Sequence, residues 1–78
     1  MSHLRPSDIA FMLSRPAQEL LRELASGPVK VHRLVGAPFE LMRHRLVQSV
    51  AVEPAYELTA TKLGEPVAQW IDQEGLTR

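Results

Sequence analysis

Two short segments typical of strands, residues 50–52 and 56–58, constrain the fold of this chain more than any other feature. Their composition is typical of strands, and Glu53-Pro54-Ala55 between them is typical of a turn. A two-stranded hairpin is not stable alone in water. The hairpin must therefore pack against helices, and 78 residues leave room for one such core.

Residues 16–25 are the helix that the sequence predicts most clearly. Pro16 suits the first position of a helix, and Gly27-Pro28 ends it. The apolar residues that fall on one face are Ala17, Leu20, Leu21, Leu24 and Ala25. The polar residues expected on the opposite, solvent-facing side are Gln18, Glu19, Arg22 and Glu23.

The sequence predicts one further helix near each end of the chain. A short one is expected from Ser7, as its cap, to about residue 13. The last helix is expected to be capped by Thr59 and to be kinked at Gly64 and Pro66, or else to begin near Pro66. Its apolar stripe consists of Ala60, Leu63, Val67, Trp70 and Ile71.

The middle of the chain predicts a helix over residues 38–49. Residues 29–31 are either a short strand or an extended lead-in, residues 32–35 form about one helical turn, and residues 36–38 form a compact turn. The apolar positions that follow a helical period from there, and are expected to face the core, are Phe39, Met42, Leu46 and Val50, with Val35 before them.

Four pieces, in this order and spacing, resemble a known family: residues 16–25, 27–34, 45–52 and Tyr56-Glu57-Leu58-Thr59. Over residues 16–72 the chain is similar to the compact winged helix-turn-helix domains of bacterial and phage transcriptional regulators of the MarR and HxlR type. In that family an opening helix precedes the helix-turn-helix, and the recognition helix leads into a two-stranded wing. The resemblance implies DNA binding, with residues 38–49 as the recognition helix.

The resemblance implies a mainly α fold with a small β-hairpin (α+β): a three-helix core, a two-stranded wing and a C-terminal helix. We therefore divide the chain into an N-terminal extension with a short helix (1–15), the winged helix-turn-helix domain (16–72) and a frayed C-terminus (73–78). The chain departs from the family at Ser49-Val50, where glycine is frequent. Pro54 excludes a tight primed turn, and Glu53 and Glu57 would face phosphates, so the wing is a poor candidate for DNA contact.

Charge is distributed unevenly although nine basic and nine acidic residues balance. Residues 28–48 contain four basic residues and only Glu40 as an acid, whereas residues 49–77 contain only Lys62 against five acids. Overall neutrality argues against strong electrostatic binding, because dedicated nucleic-acid binders are usually basic. The basic middle segment is nevertheless where a DNA contact is expected.

The candidate DNA contacts lie on and before the predicted recognition helix. Arg43 could pair with guanine, and His44 and Gln48 could contact base edges, whereas Arg45 could instead flank the core. The residues that could contact phosphates ahead of the turn are Lys30, His32 and Arg33. The alternative for all seven residues is an ordinary solvated surface.

Several classes of function are not expected. The chain lacks cysteine, and His3, His32 and His44 have no spacing typical of a metal site, so we expect neither a metal nor a cofactor. No motif indicates an enzyme. No apolar run is long enough for a membrane span, and a cytoplasmic location is the default expectation.

Two functions remain open from the sequence. The first is a small DNA-binding regulator, which we expect to be a homodimer, because Phe11, Met12, Leu13 and Trp70 leave more apolar surface at the two ends than such a short chain easily buries. The second is a winged helix that binds a protein partner, for example a phage or plasmid factor docking on a host protein. The neutral charge and the acidic C-terminal third favour the second.

Overall fold

A computed structural model describes residues 5–74, which form four helices and a three-stranded antiparallel sheet. The elements are α1 (Pro6–Met12), α2 (Arg15–Leu24), β1 (Val29–Val31), α3 (Ala37–Arg43), β2 (Val47–Val52), β3 (Ala55–Ala60) and α4 (Gly64–Glu74). The α+β class is therefore confirmed. The last four residues of the predicted frayed C-terminus, 75–78, lie outside the described part, and residues 73–74 end α4.

The sheet has the order β1-β3-β2, so the predicted hairpin is extended by a third strand. Leu58, in the central strand β3, pairs with Val29 of β1 and with Ser49 of β2. Paired residues share a face of the sheet, so one face carries Val29, Val47 and Leu58 while the other carries Lys30, Gln48 and Val50. Of the two possibilities that the sequence allowed for residues 29–31, the strand is confirmed.

The helices cover the first of these faces. Leu58 and Val47 are buried there, and α2, α3 and α4 contact the sheet. Helix α1, which we assigned to an N-terminal extension expected to pack on the domain or on a partner, packs on α4 and contributes to the same core. The largest fully buried side chains are Leu21, Leu41, Leu46, Leu58, Val67 and Ile71.

Gln18 does not lie on the exposed side of α2, contrary to the sequence prediction. Its side chain is buried, and its Nε2 donates a hydrogen bond to the carbonyl oxygen of Ala10 at 2.6 Å. The prediction was wrong because it treated α2 as a helix with solvent on one side. The C-terminal end of α1 lies on that side and needs a polar partner there.

Helix α2 begins one residue before Pro16. Ser14 is its N-cap, and the Ser14 hydroxyl accepts a hydrogen bond from the backbone N–H of Ala17 at 3.4 Å. Helix α1 begins at Pro6 rather than being capped by Ser7, and Asp8 accepts a hydrogen bond from the backbone N–H of Arg5. Both helices thus start with a proline in the first turn, where a missing N–H costs nothing.

Helix α3 is seven residues long and ends at Arg43, six residues earlier than predicted. Arg45 has φ of 62°, in the left-handed region, and its N–H donates to the carbonyl of Met42. The Leu46 N–H donates to the carbonyl of Leu41, and these two bonds together form a Schellman motif. Leu41 and Leu46 are both buried beside this turn, which fixes the end of the helix.

The early end of α3 changes which side chains face the core. Leu41 is fully buried, Met42 is half-buried, and Leu46 is buried from the turn rather than from a helix. Phe39 and Val50, both predicted to be core, are 55% and 57% exposed, and Val35 is 65% exposed. Residues 32–35 are not helical. The predicted stripe assumed one continuous helix to residue 49, and Gln48 and Ser49 instead belong to β2.

Helix α4 begins at Gly64, close to the second of the two predicted starts. Thr59 lies in β3, so it is not the cap. Thr61 has that role: its hydroxyl accepts a hydrogen bond from the Gly64 N–H at 3.1 Å and donates one to the carbonyl of Arg45 at 2.7 Å. The start of α4 is thereby attached to the end of α3.

Candidate nucleic-acid interface

The exposed side of α3 is mixed in character. Phe39 and Arg43 lie one helical turn apart, and both side chains are exposed. Glu40 and Leu41 turn towards the body of the domain, where Leu41 is buried. The surface that α3 presents to a partner therefore combines an aromatic ring with one guanidinium group.

His44 and Arg45 follow Arg43 in the turn that ends the helix. His44 is half-buried and Arg45 is exposed. The Arg45 carbonyl accepts the hydrogen bond from Thr61, and the Leu46 carbonyl accepts one from the Thr61 N–H at 3.0 Å. The turn is held by backbone bonds, so its basic side chains project from a fixed position.

Gln48 is not part of the same helix face as Arg43 and His44, contrary to the prediction. It lies in β2 opposite Thr59, on the face of the sheet that the helices do not cover, and its side chain is exposed. Because β2 begins at Val47, the helical spacing that placed Gln48 one turn beyond His44 does not apply. Gln48 therefore cannot read bases together with Arg43 from one helix in a groove.

Lys30, His32 and Arg33 are exposed, as both a phosphate contact and an ordinary solvated surface require. Lys30 lies in β1 opposite Glu57, and Glu57 lies opposite Val50. His32 and Arg33 follow β1 in the bend that leads to α3. Of the seven candidates, Arg43, His44 and Arg45 are consecutive at the end of α3, and Lys30 and Gln48 belong to the sheet.

Ion pairing separates two sets of basic residues. The three arginines of the N-terminal third each pair with an acid: Arg5 with Asp8 at 3.7 Å, Arg15 with Glu19 at 3.8 Å, and Arg22 with Asp72 at 3.7 Å. Within residues 5–74, no ion pair is formed by the four basic residues of the middle segment, which are Lys30, Arg33, Arg43 and Arg45. Lys62, just before α4, forms no ion pair among the described residues either. We call the four of the middle segment the unpaired cations.

Glu40, the one acid of residues 28–48, forms hydrogen bonds with Ser14 and no ion pair with the basic residues of that segment. Its carboxylate accepts hydrogen bonds from the Ser14 hydroxyl at 2.6 Å and from the Ser14 N–H at 2.8 Å. The hydrogen bond from the Ser14 hydroxyl is the main reason why the pKa of Glu40 lies below its ordinary value. The bond from the Ser14 N–H and the charges of His44 and Arg43 lower this pKa further, whereas burial of the carboxylate raises it. Nothing in the sequence indicated this contact, because 26 residues separate the partners.

The predicted apolar surface at the two ends of the chain is partly used within the chain. The Phe11 and Trp70 rings meet edge to face, with centroids 5.5 Å apart, and Leu13 is buried. Phe11 stays 61% exposed and Met12 56% exposed, so α1 still presents an apolar side to solvent.

Two further features bear on function classes. Among residues 5–74, no three His, Cys, Asp or Glu side chains lie close enough together to hold a metal ion, and His3 is outside that range. No helix in the same range is both long and apolar enough to cross a bilayer.

Comparison of the chain with protein-family models, with curated proteins and with solved structures finds no match.

Proposed function

We propose that this chain is a small DNA-binding domain of winged-helix type, which contacts duplex DNA through the exposed side of α3, the turn after it and the bend after β1. The observation that carries the proposal is the set of unpaired cations. Arginine and lysine side chains that neutralise phosphates supply most of the non-specific affinity of DNA-binding proteins.

The order of elements supports the winged-helix interpretation. Helix α2 is followed by β1, α3, the β2–β3 hairpin and α4, and β3 pairs with β1 as well as with β2. A helix that leads directly into a hairpin corresponds to the recognition helix and wing of the regulators that the sequence resembles. The helix that should precede the recognition helix is replaced here by the bend over residues 32–36.

The geometry favours phosphate contacts over base reading. A helix of seven residues is only about 10 Å long, and its first turn contains Ala37, Pro38 and Phe39, none of which has a side-chain hydrogen-bonding group. Arg43 is the one residue of α3 suited to guanine recognition. We therefore propose DNA binding with modest sequence preference, in which Arg33, Arg43 and Arg45 contribute mainly through charge.

The test compares two double variants that remove the same charge. Arg33→Ala with Arg43→Ala removes two unpaired cations, whereas Arg15→Ala with Arg22→Ala removes two arginines that are already ion-paired. Fluorescence anisotropy of a labelled duplex of about 20 base pairs, at about 20 mM salt, measures the affinity. We expect at least about a tenfold loss for the first variant and little change for the second.

The outcome that contradicts the proposal is equally clear. If the wild-type chain fails to bind duplex DNA even at low salt, or if both double variants lose affinity equally, the unpaired cations are not a DNA-binding surface. Circular dichroism of each variant establishes that the fold is intact.

Val35 and Phe39 favour a second candidate function, a module that binds a protein partner. Both side chains are more than half exposed beside α3, where a DNA-reading helix usually has polar residues. Exposed aromatic residues are enriched at protein interfaces. Replacing Phe39 with Ser tests the DNA-binding proposal: if the cations dominate, the DNA affinity of the variant should stay within about twofold of the wild type. If the surface around Phe39 binds a protein instead, the wild-type chain itself should not bind DNA.

A further inference from the structure

Strand β2 is an open edge of the sheet. It pairs with β3 on one side, and within residues 5–74 no strand or backbone hydrogen bond occupies its other side. An edge strand presents a row of N–H and C=O groups that can pair with a further strand. This edge is six residues long, enough for a regular ladder.

The two edges of the sheet differ in how they are protected. Strand β1 has three residues, with a lysine at its centre, and short charged edges resist pairing with another strand. Strand β2 has the sequence VQSVAV, which contains neither charge nor proline. Val50 is 57% exposed and Val52 is 39% exposed, so apolar surface accompanies the free backbone groups.

The ends of β2 have opposite charges. Arg45 lies two residues before the strand and Glu53 one residue after it, and among the described residues neither forms an ion pair within the chain. If a second β2 runs antiparallel alongside the first, Arg45 of each copy lies next to Glu53 of the other. Both ends of the shared ladder then gain an attractive charge pair, and the uncharged centre has no repulsion to overcome.

We propose that two copies of this chain associate through β2, antiparallel about a two-fold axis, to form one six-stranded sheet with the helices of both copies on the same side. This interface differs from the terminal helices that the apolar residues of α1 and α4 suggested.

Symmetry limits the register to two simple choices. A two-fold axis perpendicular to the sheet must pass midway between one residue and its own copy, and near the middle of β2 that residue is Ser49 or Val50. Centred on Ser49, the ladder brings the turn that contains Arg45 next to the turn that contains Glu53 of the second copy. Centred on Val50, the two lie on a diagonal, which long side chains still span. The charge pairing thus holds in either register.

The dimer also agrees with the acidic character of the hairpin. Glu53 and Glu57 make the hairpin unsuited to phosphate contact. Neither glutamate lies in β2 itself, so the uncharged centre that self-pairing requires is kept. In the dimer Arg45 lies near Glu53 of the second copy, so the charge for the proposed DNA contact then comes from Lys30, Arg33 and Arg43 rather than from all four unpaired cations. The proposal stands apart from DNA binding, because it concerns the free protein.

Sedimentation equilibrium of the full chain, over concentrations from about 1 to 500 µM, measures the association. We expect a reversible dimer in the wild type. Val50→Lys places two lysines opposite or diagonal to each other across the interface, and should weaken dimerisation at least about tenfold. The matched control is Met12→Lys, which adds the same charge to the apolar side of α1 and should leave the dimer unchanged.

A charge exchange gives a second, independent reading. Arg45→Glu alone and Glu53→Arg alone should each weaken the dimer about tenfold or more, because attraction becomes repulsion at both ends. The double variant R45E/E53R restores opposite charges and should recover most of the wild-type affinity. Circular dichroism and thermal melting exclude loss of the fold as the cause.

The proposal is overturned if the wild type is monomeric throughout this range, if V50K dimerises as the wild type does, or if M12K rather than V50K abolishes the dimer. The proposal is also contradicted if both single variants are folded and dimerise more weakly than the wild type, but the double variant does not recover the affinity. None of these results depends on whether the chain binds DNA.

Discussion

Gly64 is the residue at which α4 approaches the turn after α3 most closely. A Cβ atom placed on Gly64 would lie 1.8 Å from the carbonyl oxygen of Leu46 and 2.8 Å from its carbonyl carbon. Both are backbone atoms of a segment held by hydrogen bonds to Thr61, so neither can move aside cheaply. Glycine is required here by space and not by its backbone angles.

We predict that Gly64→Ala lowers the free energy of unfolding by about 3 kcal/mol or more, since overpacking against backbone must displace an element. Urea denaturation measures the loss. Gly36→Ala is the control: Gly36 has φ of 70° but nothing within 4 Å of the added atom, and the expected loss is about 1 kcal/mol. Equal losses at both positions would mean that α4 can slide away from Leu46.

Glu40 gives the fold a dependence on pH. Because its pKa in the folded state is below the ordinary value of 4.5, the ionised form stabilises the fold. That contribution is present above pH 4.5 and is lost as the pH falls through the lowered folded pKa. The hydrogen bonds from Ser14, which hold the N-terminus of α2 against α3, are the structural source of the effect.

We predict that Glu40→Gln costs about 1 kcal/mol at neutral pH and less at about pH 3, because part of the carboxylate is protonated below pH 4.5. Urea denaturation at the two pH values measures both quantities. In a Ser14→Ala background, which removes the hydroxyl donor, the same substitution should cost less at neutral pH. A penalty that is equal at both pH values, or unchanged by Ser14→Ala, would show that the ionised carboxylate contributes nothing through Ser14.

At the scale of elements, α1 is part of the core, which is one of the two arrangements, packing on the domain or on a partner, that the sequence left open for the N-terminal extension. Ile9 and Leu13 are buried in the cluster that also contains Leu21 and Ile71, and Gln18 of α2 bonds to the end of α1. Residues 16–72 alone would expose this apolar surface. The domain therefore begins with α1.

We predict that Ile9→Ala lowers the free energy of unfolding by about 2 kcal/mol or more, as expected for a buried aliphatic side chain. Met12→Ala in the same helix should cost under about 0.5 kcal/mol, because that side chain is more than half exposed. Thermal or urea denaturation compares the two. Equally small losses would mean that α1 is a loosely attached extension after all.

The elements that could be predicted were those whose signals are local. The amphipathic pattern and the Gly27-Pro28 break gave α2, and the strand composition gave the hairpin. The end of α3 could not be predicted, because a Schellman motif normally has glycine at the left-handed position and Arg45 gives no such sign. Gln18 and Glu40 escaped prediction for another reason: each is fixed by a partner from a different helix.

The candidate site was predictable only in part. The local surplus of basic residues drew attention to the unpaired cations, and all four are exposed. The assignment of Gln48 to the same reading helix failed with the length of α3. Whether Arg43 acts on a base or on a phosphate depends on the partner, and no pattern within the chain encodes that difference.

At the scale of the whole molecule, a neutral chain can bind an anion only if its charges are separated. Here Arg5, Arg15 and Arg22 each form an ion pair, Glu40 is hydrogen-bonded to Ser14, and the unpaired cations lie from β1 to the turn before β2. Residues 28–48 therefore carry a surplus of positive charge although the formal net charge of the chain is zero. That separation is the physical basis of the proposed function.

The dependence of DNA affinity on salt tests this claim most directly. With three or four phosphates neutralised, the logarithm of the binding constant should fall with the logarithm of salt concentration with a slope of about −3. Removing Arg33 and Arg43 should reduce the slope by about 2, and removing the ion-paired Arg15 and Arg22 should leave it unchanged. A wild-type slope near zero, or the same reduction in both variants, would contradict the account.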